Sequence, residues 1–341
     1  MKTLSFTTLL FCLFVFVAGV FAQGASDTLY DQARKLADSG KFKEAAVRYQ
    51  QAIKQAPKDA YLFTDLAWCQ LELGQYKEAV ETARTAISLD PNDAYAHNNL
   101  GWGLTQLGQT DDAIAELKNS IKLDPSYDKS HNNLGYAYLK QGLDNDAVDE
   151  FKAALRVNPT MTKAHANLAA IYFRTGKYPE AITEFETLIS IEPQKANHFQ
   201  GLGAAYMNTG QHQKAIQAFQ QAVTLDPKDV QSWKNMSVAQ MAAGRLDDAI
   251  ATLKQILIQR PKDYDSLYML GMDYYQTGRY DDAIATLKQA LDVKPNSERA
   301  VMGLAMSYVS KGDRDSAREL LPRLKELDAD LANILEKAVK K

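Results

Sequence analysis

Proline recurs every 34 residues along this chain, at Pro57, Pro91, Pro125, Pro159, Pro193, Pro227, Pro261 and Pro295. Glycine keeps the same step from Gly40 to Gly312, and alanine keeps it from Ala45 to Ala317. A length of 341 residues would otherwise suggest about two globular domains, but so strict a period describes an array of short units. Each unit is too small to bury its own apolar face and must cover it with its neighbours.

The unit 128–161 shows what repeats. Leu134, Gly135, Tyr138 and Leu139 stand at helical spacing, Gly142 interrupts them, and Ala147, Val148, Phe151, Ala154 and Leu155 form a second helical face. Glycine supplies the positive φ that ends the first helix. Proline ends the second, because it lacks an N–H and disfavours helix in the residue before it. Small residues at the eighth position (Gly101, Gly135, Gly203) and alanine at the twentieth let the two helices approach closely.

These residues resemble the tetratricopeptide repeat (TPR) family, most plainly in Asn133-Leu134-Gly135-Tyr136-Ala137-Tyr138 and Ala147-Val148-Asp149-Glu150-Phe151. The resemblance implies an all-α, right-handed superhelical solenoid of nine 34-residue helix-turn-helix units over 23–331. Those units start near residues 26, 60, 94, 128, 162, 196, 230, 264 and 298, and the first helix of each lines a concave groove. The last unit departs from the pattern, with Ala329 where proline is expected and Pro322 inside its second helix. Residues 332–341 are expected to form a capping helix, with Lys337, Lys340 and Lys341 suited to a helix C-terminus.

The first residues are of another kind. Lys2 precedes an apolar run from Leu9 to Val20, and Val20-Phe21-Ala22 places small residues where a signal peptidase needs them. Residues 1–22 are expected to be a signal peptide cleaved after Ala22, making the protein secreted or periplasmic; the alternative is an uncleaved anchor, since Leu4 to Ala22 is about long enough to span a bilayer. Losing Lys2 would take the net charge from -3 to -4, a balance without the basic stripe that nucleic acid requires. Cys69 would then be the sole cysteine, so no internal disulfide can staple the core.

No catalytic motif is found: no glycine-rich phosphate loop, no Gly-x-Ser-x-Gly, no paired cysteines and no His-Glu-x-x-His. The repeat plan consumes nearly every residue, so an enzyme is not expected, nor a cofactor. His97, His131 and His165 lie one repeat apart. That separates them by roughly 10–20 Å, against the ~2 Å reach of a metal ligand, so they read as packing residues.

Three sets of positions are expected to face the groove. At the sixth position stand Asn99, Asn133, Asn167 and Asn235, with Asp65 before them and Gly201 interrupting. Such amides could pair with the backbone of an extended peptide, or they could bridge neighbouring units. At the ninth position Trp68, Trp102 and Tyr136 follow in successive units, flanked at the second position by Tyr61 and Tyr95. Rings with polar tips suit proline-rich or aromatic peptides, or sugars; the alternative is that they only fill the inside of the superhelix. Lys129 and Lys163, with Asn133 and Asn167, resemble part of the clamp by which cytosolic members of the family hold a C-terminal carboxylate. Asn98, Trp102 and Asn167 leave that clamp incomplete. Further along, Met241, Tyr268, Met269, Met272, Tyr275, Met302 and Met306 offer either a second, adaptable apolar surface or ordinary core.

The reading that joins these features is a scaffold or adaptor capturing an extended protein segment, in assembly of an envelope, pilus or secretion machine. The alternatives are a carbohydrate-binding subunit of polysaccharide export or modification, and an accessory resembling the repeat half of protein glycosyltransferases.

Overall fold

The computed structural model describes residues 28–340; the expected signal peptide and its cleavage point lie outside them. Every regular element among the described residues is a helix. The chain forms two compact units, one ending at Ile171 and one beginning at Tyr172.

In the first unit, α1 (28–38) and α2 (Phe42–Gln55) are followed by the hairpins α3 (Ala60–Glu72) with α4 (Tyr76–Leu89), α5 (Ala94–Gln106) with α6 (Thr110–Leu123), and α7 (Asp128–Lys140) with α8 (Asp144–Val157). Next comes α9 (Thr162–Arg174). The second unit continues with α10 (Tyr178–Ile191), then α11 (Ala196–Asn208) with α12 (His212–Leu225), α13 (Val230–Ala242) with α14 (Leu246–Gln259), and α15 (Tyr264–Gln276) with α16 (Tyr280–Val293). It closes on α17 (Glu298–Lys311), α18 (Arg314–Glu319), α19 (Leu321–Leu327) and α20 (Ala329–Lys340).

The turns are made as their chemistry requires. All the glycines that keep the 34-residue step, from Gly40 to Gly312, have φ between 71° and 92°, and a Cβ on any of them would meet nothing within 4 Å. They are there for backbone freedom, not for space. At the other end of the hairpin Asp90 leaves the helix in extended geometry (φ −135°, ψ 98°) immediately before Pro91, as a residue preceding proline should.

The helical glycines answer to the opposite demand. A Cβ on Gly135 would lie 2.9 Å from the Phe151 ring and 3.1 Å from the carbonyl oxygen of Ala147, and one on Gly271 would lie 2.6 Å from Leu287. Small residues at the eighth position therefore seat a Phe or Leu of the facing helix. Gly201, which interrupts the asparagine series, has the same cause: a side chain there would strike Phe185 at 2.3 Å. Ala67, Val80, Ala83, Leu100, Leu104 and Ala113 form one core across α3 to α6, and each fully buried leucine contributes about 2 kcal/mol.

At the C-terminal end the structure differs from expectation twice. Pro322 does not interrupt one continuous helix: the chain breaks at Leu320 into α18 and α19, and Pro322 occupies the first turn of α19, where its missing N–H costs nothing. The last helix starts at Ala329, not 332, and buries Ala332, Leu335 and Val339 in a core shared with Val301, Leu304 and Ala317. Arg318 donates to the Val339 carbonyl at 3.1 Å, satisfying one of the orphan acceptors at that helix end.

Candidate functional site

Two adjoining cavities open on the first helices of the first unit. One, of about 620 Å³, is lined by α1 (Tyr30, Arg34, Asp38), Tyr49 of α2, α3 (Tyr61, Thr64, Asp65, Trp68), and Asp93, Tyr95, Asn99, Tyr127 and Lys129. The other, of about 560 Å³, shares Trp68, Asn99, Tyr127 and Lys129 with it and adds Trp102, Asn133 and Lys163 among others.

Helix caps position the first wall. Asp93 Oδ1 accepts from the backbone N–H groups of Tyr95 (2.9 Å) and Ala96 (3.1 Å), and its Oδ2 accepts from Thr64 Oγ1 at 2.6 Å. This carboxylate thus starts α5 and ties it to α3. Tyr61 and Tyr95, in the first turns of their helices, are 65% and 50% exposed, a large apolar area to leave in water. Tyr127 stands where the preceding units carry the capping aspartates Asp59 and Asp93, and α7 accordingly has no side-chain cap. Its ring lies 4.6 Å from that of Tyr95, and burial raises the pKa of its phenol. A cap has been replaced by an aromatic wall.

At the base, Asp65 accepts from Tyr49 Oη at 3.1 Å. Burial raises the Asp65 pKa, the Tyr49 hydrogen bond opposing it, and burial likewise raises the phenol of Tyr49. Arg34, at the rim, donates to Tyr30 Oη at 3.0 Å.

The asparagines are engaged differently from an open array. Asn99 is only 5% exposed; its amide donates to the carbonyl of Thr64 at 3.0 Å, and its oxygen accepts from Asn98 at 3.4 Å. Asn133 donates to Asn98 Oδ1 at 2.9 Å and accepts from Asn132 at 3.4 Å. These amides bind one hairpin to the next. Asn167 is half-buried on α9, and Asn235 lies in the second unit, where its oxygen accepts from Gln231 at 2.9 Å.

The aromatic series also divides. Trp102 and Tyr136 pair at 5.3 Å between centroids and 59° between planes, but Trp68 packs edge-on against Phe42 at 5.5 Å instead of continuing that stack. The tilt leaves no flat ladder of parallel faces. Lys129 sits with its ammonium 5.9 Å from the Trp68 ring, and Lys163 is exposed at the edge of the second cavity. Tyr136 carries Lys140 above its ring at 5.3 Å.

Elsewhere, His97 binds Glu116 at 2.6 Å and the Pro91 carbonyl at 3.1 Å, and His131 repeats the pattern with Glu150 and Pro125. The Glu150 hydrogen bond raises the pKa of His131. Among the described residues no group of three or more His, Cys, Asp or Glu is placed to hold a metal ion. In the second unit, Met302 and Tyr268 pack on one core cluster, and Met269 and Tyr275 on another.

Tyr30, Arg34, Tyr49 and Tyr127 are lining residues that repeat spacing did not single out. Tyr127 had a signal, a break in the run of capping aspartates. Tyr30 and Arg34 lie in the first helix, where the repeat has no earlier unit to be compared with.

The cilia and flagella-associated protein 70 C-terminal domain model matches residues 127–334, and tetratricopeptide repeat models match 36–100 and 104–142. No curated protein matches the sequence. Among solved structures, the chain is similar to the C-terminal part of a TPR repeat-containing protein from Cytophaga hutchinsonii (21% identity, TM-score 0.62, covering 71% of this chain and 99% of that one). It is similar to PilW, a type IV pilus biogenesis factor, at 22% identity and TM-score 0.55, over 62% of this chain and 97% of that one. PilF of Pseudomonas aeruginosa gives 20% and 0.55, over 64% and 98%. The helical hairpins and the family models agree: this chain belongs to the tetratricopeptide repeat family, matching the C-terminal TPR domain of cilia and flagella-associated protein 70 over most of its length.

Proposed function

We propose that this protein is a non-enzymatic scaffold that holds an extended segment of a partner protein against the first helices of its first unit. The observation that carries this reading is the pair of adjoining cavities, which share four side chains and are bordered by two tyrosines at least half exposed. A continuous trough with aromatic walls and scattered polar tips suits a chain that must be gripped at several points. The expected export signal at 1–22 would place this work outside the cytoplasm, in an envelope, pilus or secretion assembly; no helix among the described residues is long and apolar enough to cross a membrane. The pilus role of PilW is that protein's own, and at 22% identity the likeness carries the fold.

An array of unstructured peptides of about 12 residues, probed with the chain and with a Tyr61→Ala/Tyr95→Ala variant of unchanged circular dichroism, tests the proposal. Both side chains are half exposed or more, so their loss should spare the fold. Retention of a defined peptide subset, weakened about tenfold by the variant, is expected. Retention unaltered by the variant, or retention of glycans in place of peptides on a parallel array, would overturn it.

A further inference from the structure

The cavity at the N-terminal end of the first unit differs from its neighbour in the charge it offers. Where the next three units place a neutral asparagine at the sixth position (Asn99, Asn133, Asn167), this one has Asp65. Each of the other charges around the cavity is engaged or at its edge. Asp93 is spent on the cap of α5 and on Thr64, and the exposed Asp38 is peripheral. Arg34 donates to Tyr30, and Lys129 lies over Trp68. Among the described residues no cation pairs directly with Asp65: the Tyr49 hydroxyl donates to it at 3.1 Å, and Tyr30 also hydrogen-bonds it, with Arg34 standing behind Tyr30 as the nearest positive charge. The carboxyl group therefore faces a space walled by tyrosine rings, hydrogen-bonded to phenols but with no cation in direct contact with it.

Ring faces attract cations, and a partly desolvated carboxylate gains more from a counter-ion than an exposed one does. The neighbouring cavity is less acidic: Lys129 lines both, but the second adds Lys163 and only Glu72, where the first has Arg34 with Asp38, Asp65 and Asp93. The balance of charge therefore favours a basic side chain in the first cavity over the second.

Resting on the reading of this trough as a peptide site, we propose that the Asp65 cavity takes a lysine or arginine side chain of the bound segment, with Asp65 as counter-ion and the Tyr61, Tyr95 and Tyr127 rings around its stem.

The test uses fluorescein-labelled peptides of one otherwise constant sequence, selected from the array, whose central residue is Arg, Lys, Gln or Glu. Binding is followed by anisotropy to the full chain and to Asp65→Asn, which reproduces the residue found at Asn99 and keeps the shape of the site. Arg- and Lys-centred peptides are expected to bind about tenfold more tightly than the Gln-centred one, with the advantage shrinking in salt and disappearing in Asp65→Asn while Gln-centred binding persists. A Tyr61→Leu variant, altered only at an exposed ring, should reduce the same preference. Equal affinity for Arg and Gln peptides, or a preference that survives Asp65→Asn, overturns this inference and leaves the peptide site standing; no binding by any peptide removes both.

Discussion

The most unusual single residue is Asp273, on α15. It is wholly buried, both of its oxygens lack a hydrogen-bond partner, and burial alone pushes its pKa up from 3.8 to about 7. Neighbouring repeats carry Ala239 and Ser307 at the same position, and both are small enough to pack there. Because the folded pKa exceeds the unfolded one, the native state holds a proton that the unfolded chain has released. Stability therefore falls as pH rises from about 4 to 7 and stays low above it. Asp273→Ser should raise stability by roughly 2–4 kcal/mol at pH 8 and by far less at pH 4, measured by urea unfolding at the two values. His131 gives the complementary case. Its raised pKa comes from Glu150, so His131→Gln should cost more stability at pH 6 than at pH 8, the stabilisation of the native imidazolium being lost as pH climbs through the folded value.

At the scale of the element, the hairpin is set by size as much as by hydrophobicity. Gly135→Val would force a branched side chain into the Phe151 ring and against the Ala147 carbonyl, and should destabilise by about 1–3 kcal/mol in thermal melts. The Pro322 break is a testable joint. Pro322→Ala removes the residue that cannot donate within a continuous helix, yet α18 and α19 should stay distinct, because their packing against α20 and the core around Val301 and Leu304 sets their directions. Backbone hydrogen exchange across residues 318–324 would show continued breakage there. Nearly all of this architecture was legible in the sequence, since one glycine and one proline per 34 residues state where helices must stop. The site was less legible. The positions of Tyr61, Tyr95, Trp68 and Lys129 followed from the repeat, but what their side chains touch did not. Asn99 and Asn133 turned to the neighbouring hairpin, and Trp68 to Phe42, because those choices depend on residues 30 or so positions away that vary from unit to unit. The break at Leu320 was missed for a similar reason: Pro322 is acceptable two residues later in a new helix, and periodicity does not distinguish one interrupted helix from two.

For the whole molecule, stability is the sum of neighbour contacts spread over two compact units, so damage in one need not silence the other. A Leu335→Lys/Val339→Lys variant, which makes the inner face of α20 polar, should lower the melting temperature of the second unit. Peptide binding by the first unit should persist at temperatures where far-UV circular dichroism already shows partial loss of helix. The turn glycines have a different consequence for anyone wishing to work with this protein. Each sits in open space with its direction fixed only by backbone torsion, so the adjoining loop is a natural seam where foreign sequence can be spliced. An affinity tag or a reporter dye introduced after Gly142 would ride on a loop that lines neither cavity, giving a handle on the first unit that leaves the proposed peptide trough untouched.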